Sequence, residues 1–308
     1  LIYVFCYWNL LNVNEHIYFL NPMIYLPLII LGIEKIINEN KAAVFTLAVF
    51  ISVISNFYFF YMLVILTVIY VAVRLPLNYG KDFGSMLKDL MMIAGAAVLG
   101  TGMAAVTVMP VAYALLSNNR IGIDYGVHAL YPIIYYEKAL NIFFSKDDPY
   151  WLCMGFASPC IFSLALSLRQ FKKDKLLFFL NVLVLFMICI PYCGKILNGM
   201  SYVSNRWSFA ISLLYAYTLT AKWEDFKKYK IFLLSVVFLC FAWAVAFPLS
   251  REVRIFIPIC ICLFFYSIAV MNEGIMFFGF DLKQVILLGL VVLSVLYNAD
   301  YVYSYRGR

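Results

Sequence analysis

The feature that most limits what this chain can become is its succession of apolar runs. Segments such as 18–34, 57–73 and 231–249 are almost free of charge, and a helical run of roughly 20 such residues crosses the 30 Å hydrocarbon layer of a bilayer. Lipid offers backbone amides no partner, so only helices or closed barrels span it, and these runs lack the two-residue alternation of barrel strands. Composition agrees: 65% of the residues are hydrophobic, 13% are charged, and mean hydropathy is +0.92, whereas a soluble domain carries about 25% charged residues. The predicted fold is all-α, a polytopic transmembrane helical bundle. Its spans are read at 1–12, 18–34, 42–55, 57–73, 89–116, 151–168, 176–191, 207–221, 231–249, 255–271 and 284–298, about 11 in all.

The chain opens on Leu1 inside an apolar segment, with neither a charged n-region nor a cleavage site. It therefore reads as a fragment of a longer protein and not as a signal peptide. Residues 1–308 are expected to form one integral membrane domain, with a further part outside the membrane following Arg308. The polar segments between spans alternate in charge. The segments 34–41, 74–88, 169–175, 221–230 and 272–283 hold 14 of the 23 Lys and Arg residues. By the positive-inside rule they face the cytoplasm, which places Arg206 and the 117–150 segment on the outer face. The formal charge of +7 is mostly this topological signal, so nucleic acid is not an expected partner and the lipid bilayer is.

Two runs carry internal detail. Residues 42–73 are too long for one span, and the polar pair Ser55-Asn56 predicts two helices meeting there, the first unusually short. In the fifth span Ala96, Gly100 and Ala104 recur every four residues, a small-residue face that lets two helices approach closely. The eight cysteines sit in apolar runs or near membrane ends, and His16 lies far from His128, so no metal site is expected.

The polar chemistry concentrates in two places. The 117–150 segment interleaves Asp124, His128, Glu137 and other charges with aromatics. Its stretch from Tyr131 to Phe144 is spaced like a short helix lying along the interface, an aromatic belt or a surface on which a glycan could stack. The second place is PYCGKILNGMSYVSNRW, residues 191–207, where Lys195, Asn198, Asn205 and Arg206 gather at the mouths of two spans. A guanidinium offers a planar fork suited to phosphate oxygens, and at headgroup depth it could hold the phosphate of a lipid-linked substrate. An ordinary interface anchor, with Arg206 snorkelling to phospholipid, satisfies the same spacing.

Three stretches, LNPMIYLPLIILGIEKI (20–36), ISNFYFFYM (54–62) and NGMSYVSNRWSFA (198–210), resemble in order the bacterial YfhO-type membrane proteins. The resemblance implies a GT-C-like glycosyltransferase of the bacterial cytoplasmic membrane, with its active face outside. Such an enzyme takes a sugar from a polyprenyl-phosphate-linked donor and attaches it to a cell-envelope polymer, for this family teichoic acid. It also implies a catalytic carboxylate in an external loop after the first span, a loop expected upstream of Leu1. Within this chain, Glu15 and Asp124 are the auxiliary acids and Arg206, Lys195 and Asn205 the candidate lipid-phosphate ligands. A lipid-linked glycan flippase or transporter would want the same outer arginine, with polar groups continuing along one path to the other face. A structural assembly subunit would want neither.

Overall fold

The computed structural model describes residues 1–117, 126–144, 149–247, 255–271, 276–277 and 279–306. It is helical almost throughout. The helices are α1 (Tyr7–Glu15), α2 (Asn21–Glu39), α3 (Ala43–Ser55), α4 (Phe57–Tyr79), α5 (Phe83–Met103), α6 (Ala105–Leu116), α7 (Ile133–Glu137), α8 (Ala139–Phe144), α9 (Cys160–Arg169), α10 (Lys175–Cys189), α11 (Pro191–Leu197), α12 (Phe209–Lys222), α13 (Lys230–Ala246), α14 (Phe256–Ala269) and α15 (Leu282–Arg306). One two-residue hairpin, β1 (Met276–Phe277) against β2 (Phe280–Asp281), precedes α15. A continuous apolar cluster runs from α1 through α14 to α15.

The expected eleven spans are not what forms. Among the described residues five helical stretches are long and apolar enough to cross a bilayer: Ile17–Glu39, Phe57–Tyr79, Phe83–Met103, Lys227–Ala246 and Leu282–Asp300. A sixth is possible if α10 and α11, bent by 98°, count as one. Apolar runs were a poor proxy for continuous helix, for reasons that are local. The bend falls at Ile190, held extended (φ −116°, ψ 115°) because the ring of the following Pro191 disfavours the helical region for its predecessor. The 89–116 run breaks at Ala104, and in the 151–168 run α-helix begins only at Cys160. Helices the length of α9 and α12 reach roughly 15–21 Å, short of the hydrocarbon thickness.

The break within 42–73 is where the sequence places it. Asn56 is extended (φ −160°, ψ 104°), and its side chain accepts from the amides of Tyr58 and Phe59, capping α4. Asn56→Ala is expected to cost about 1 kcal/mol through the lost cap, read as a lower melting temperature in detergent. The small-residue face of the fifth span also does what its spacing implies. A Cβ on Gly100 would lie 2.6 Å from the Thr46 carbonyl oxygen and 3.0 Å from Val49 Cβ, so α5 approaches α3 almost backbone to backbone. Gly32 plays the same part between α2 and α3.

Charged contacts gather at the ends of the helices remote from Arg206. Arg74, roughly 24 Å along α4 from Tyr58 at 1.5 Å per residue, grips Glu34 of α2 with two nitrogens at 2.7 and 2.9 Å. At the corresponding end of α12, fully buried Lys222 donates to Gln170 Oε1 at 3.1 Å and Asp174 Oδ2 at 2.8 Å, and Lys173 pairs with Asp225 at 2.8 Å. A buried ammonium stripped of its counter-ion is worse than a half-exposed carboxylate stripped of its own. Asp174→Ala is therefore expected to destabilise by about 3 kcal/mol and Lys222→Met by less, compared by melting temperature.

Candidate functional site

Arg206 opens a 3₁₀ turn, Arg206–Ser208, that leads directly into α12. The ground beneath it is aromatic: Trp8, Phe19, Phe59 and Phe209 pack edge to face, tilted or stacked, with centroids 4.8 to 6.2 Å apart. Trp207 is fully buried and belongs to the continuous apolar cluster. The guanidinium lies over the Trp151 ring at 4.6 Å, with Tyr58, Tyr202 and Phe19 each about 6 Å away.

Its polar contacts form a short chain. Arg206 Nη1 donates to Tyr58 Oη at 3.1 Å, Tyr58 Oη donates to Asn198 Oδ1 at 2.6 Å, and Asn198 Nδ2 donates to the Tyr202 carbonyl at 2.9 Å. Arg206 Nε is buried and makes no hydrogen bond. Among the described residues no carboxylate pairs with Arg206. Burial by itself would weaken the charge, but the Tyr58 hydrogen bond and the nearby Tyr202 hydroxyl outweigh it and hold the pKa above its ordinary value. The result is a permanent cation on a floor of low polarity, stabilised by ring faces and hydroxyl dipoles with no described carboxylate beside it. Coulombic attraction for an arriving anion is stronger there than in water.

Backbone strain concentrates around this cation. Asn40, Tyr150, Trp151 and Met200 are the described non-glycine residues with positive φ, and all but Asn40 belong to the two segments around Arg206. Asn40 is a left-handed helix cap, a common use of asparagine. Tyr150 and Trp151 are consecutive, at φ 54° and 62°, a conformation that costs about 1–3 kcal/mol per residue. The Asn205 backbone N–H anchors the pair by donating to the Tyr150 carbonyl at 2.7 Å.

The other residues singled out from the sequence fall in different places. Asn205 is fully buried and its amide is committed: Nδ2 donates to Tyr131 Oη at 3.0 Å, and Oδ1 accepts from Trp207 Nε1 at 3.1 Å. Gly194 of α11 sits against that same oxygen, where a Cβ would come within 2.7 Å. Lys195, on α11, is 8% exposed and engaged in a contact of its own. Glu15 ends α1, its side chain being outside what is described, and Asp124 lies outside the described residues altogether. The Tyr131–Phe144 stretch is not a single short helix. It makes two short helices, α7 and α8, with Tyr135, Ile142, Phe143 and Phe144 buried. Tyr131 and Tyr135 stack on one another at 4.1 Å and are 5% exposed each, so they are closed to a glycan. Tyr58, Trp151 and Tyr202 surround Arg206 and were not singled out. No local pattern links Tyr58 or Trp151 to it, since they come from distant parts of the chain, whereas Tyr202 stands only four positions before it.

An apolar cavity of about 810 Å³ runs along α4 and α5, lined by Phe60, Val64, Val71 and Leu75 on one side and by Leu90 and Ala97 on the other.

Fold and site together define an all-α, multi-pass membrane protein with a buried-edge arginine at one end of its bundle. A family model described as bacterial membrane protein YfhO matches residues 1–307, and the chain belongs to that family. It is 28% identical over 202 residues to the protein called "Uncharacterized protein YfhO" of Bacillus subtilis strain 168, a match covering 65% of this chain and 22% of that relative. The chain thus matches less than a quarter of the length of the relative. No solved structure matches it.

Proposed function

We propose that the chain is the membrane-embedded part of a glycosyltransferase that draws its sugar from a polyprenyl-phosphate-linked donor, with Arg206 receiving the phosphate at the outer face of the cytoplasmic membrane. The observation that carries this reading is a fixed guanidinium at the bundle end with aromatic and hydroxyl neighbours and no described carboxylate partner. An interface anchor needs neither a hydroxyl relay nor a strained tryptophan. In the reaction an acceptor hydroxyl, its proton passing to a carboxylate base, attacks the anomeric carbon. The bond from that carbon to the phosphate oxygen breaks, and the charge growing on the departing phosphate is what Arg206 would stabilise. Lys195 remains a candidate for long-range support, while the commitment of the Asn205 amide suits a residue that shapes the site. The acceptor is a cell-envelope polymer, teichoic acid by family resemblance, and the apolar cavity along α4 is the kind of space a polyprenyl tail requires.

The test is direct. Full-length protein in proteoliposomes, given polyprenyl-phosphate-linked radiolabelled sugar and lipoteichoic acid, should move label into the polymer. Turnover no faster than in empty liposomes across common hexose donors would refute the reading.

One observation favours a second reading, translocation of a lipid-linked glycan. Ser208, Ser212, Tyr215, Thr218 and Lys222 occupy one face of α12 and its leading turn, all of them buried, a polar line running from beside Arg206 to the opposite end. Passage of a fluorescent lipid-linked sugar between leaflets, without transfer, would decide for it.

A further inference from the structure

Trp151 does more than the phosphate-binding reading of Arg206 asks of it. Its ring covers the guanidinium at 4.6 Å, yet 36% of the residue stays exposed, beside Tyr150 at 41% and Tyr202 at 40%. The loop carrying it is held in a costly shape. Tyr150 and Trp151 are both left-handed, in a region where glycine or asparagine is the usual occupant. The segment is fastened from two sides: the Asn205 backbone N–H donates to the Tyr150 carbonyl at 2.7 Å, and the Tyr150 ring packs on Tyr131 at 4.8 Å. Tyr131 is itself held by Asn205 Nδ2. The residue next to Arg206 in sequence therefore sets the position of the tryptophan that covers it. A belt residue at headgroup depth has no use for such a device, because any orientation of an indole at the interface serves it. Strain maintained against relaxation marks a side chain whose direction matters.

An exposed aromatic rim fixed next to a cation is complementary to a particular ligand shape. The anion takes the guanidinium, and a rigid ring with an apolar face, one bond from that anion, takes the indole. The pyranose of a glycosyl phosphate has this form, since its axial C–H bonds make one face apolar while its hydroxyls point outward. We propose that Trp151, flanked by Tyr150 and Tyr202, is the sugar-binding platform of the site, and that it reads the hexose joined to the phosphate on Arg206. The inference rests on the phosphate reading of Arg206 and adds the part of the ligand that Arg206 does not touch.

The experiment separates the two. Full-length protein in nanodiscs is titrated with bare undecaprenyl phosphate and with the same carrier bearing glucose, galactose, N-acetylglucosamine or N-acetylgalactosamine. The quantity read is the ratio of the two dissociation constants in each variant. Wild type should bind at least one glycosylated carrier about five- to tenfold more tightly than the bare one, the scale of a good aromatic contact. Trp151→Ala and Trp151→Leu should bring that ratio to about one, and Trp151→Phe should keep most of it. Leu restores apolar bulk without a flat face, so a retained sugar preference in Trp151→Leu overturns the proposal, as does a wild-type ratio of one for all four sugars. Arg206→Gln should weaken bare and glycosylated carriers alike. If it weakens neither, the phosphate reading itself fails and the sugar platform falls with it. If it weakens both while Trp151→Leu keeps the preference, only the platform is wrong.

Discussion

Arg206→Gln is expected to lower sugar transfer by roughly 100- to 1,000-fold, the loss seen when a donor aimed at developing charge is removed from a low-dielectric site. Glutamine is uncharged, planar and polar but two atoms shorter, so the bond from Arg206 Nη1 to Tyr58 at 3.1 Å goes with the charge, while the aromatic packing beneath is left in place. Arg206→Lys is the informative companion. It retains the charge but loses the planar fork and the stacking on Trp151 at 4.6 Å, and should fall between wild type and Gln. The measurement is initial transfer rate in proteoliposomes beside melting temperature for each variant. A folded Arg206→Gln protein that transfers at the wild-type rate removes Arg206 from the chemistry.

A loss of stability as large as that expected for Asp174→Ala lies elsewhere in the fold, at Gly32. A Cβ placed on Gly32 would sit 2.5 Å from Phe45 Cα and 2.7 Å from the Phe45 backbone nitrogen. These are backbone atoms of α3, and α2 with α3 forms the most extensive helix pair among the described elements. A flexible side chain could swing away from a new methyl group, but a helix must shift as a whole. Gly32→Ala is therefore expected to cost about 3 kcal/mol, the upper end for overpacking, although alanine is the better helix former. Thermal unfolding of the detergent-solubilised protein reads the loss directly. Unchanged or raised stability would mean that α2 and α3 part more easily than their spacing implies.

Much of the architecture was legible along the chain because lipid imposes its demands residue by residue. That the chain is mostly helix, that 42–73 is interrupted at Asn56, and that Gly100 on its small-residue face permits close contact all follow from local rules. The number of membrane-length helices was not legible, because hydropathy does not register backbone breaks. The turn before Pro191, the interruption at Ala104 and the non-helical stretch ahead of Cys160 leave apolar composition untouched while shortening the helices. Nor was the burial of Tyr131 and Tyr135, since a helix that lies on an interface and one packed inside share the same spacing.

For the site the division is sharper. Arg206 stood out in the sequence as a lone cation at the edge of an apolar run, flanked by Asn205 and Trp207. Its hydroxyl partner Tyr58 is 148 positions away, and Tyr150 and Trp151 are aromatic residues in a backbone conformation their type does not advertise. The sequence by itself determined that the protein lives in a membrane, that its backbone is helical and that a guanidinium waits at one helix end. Only the tertiary structure decided what surrounds that guanidinium, because hydrogen bonds and ring contacts depend on distances in space, which residues far apart in the chain acquire only after the helices have packed.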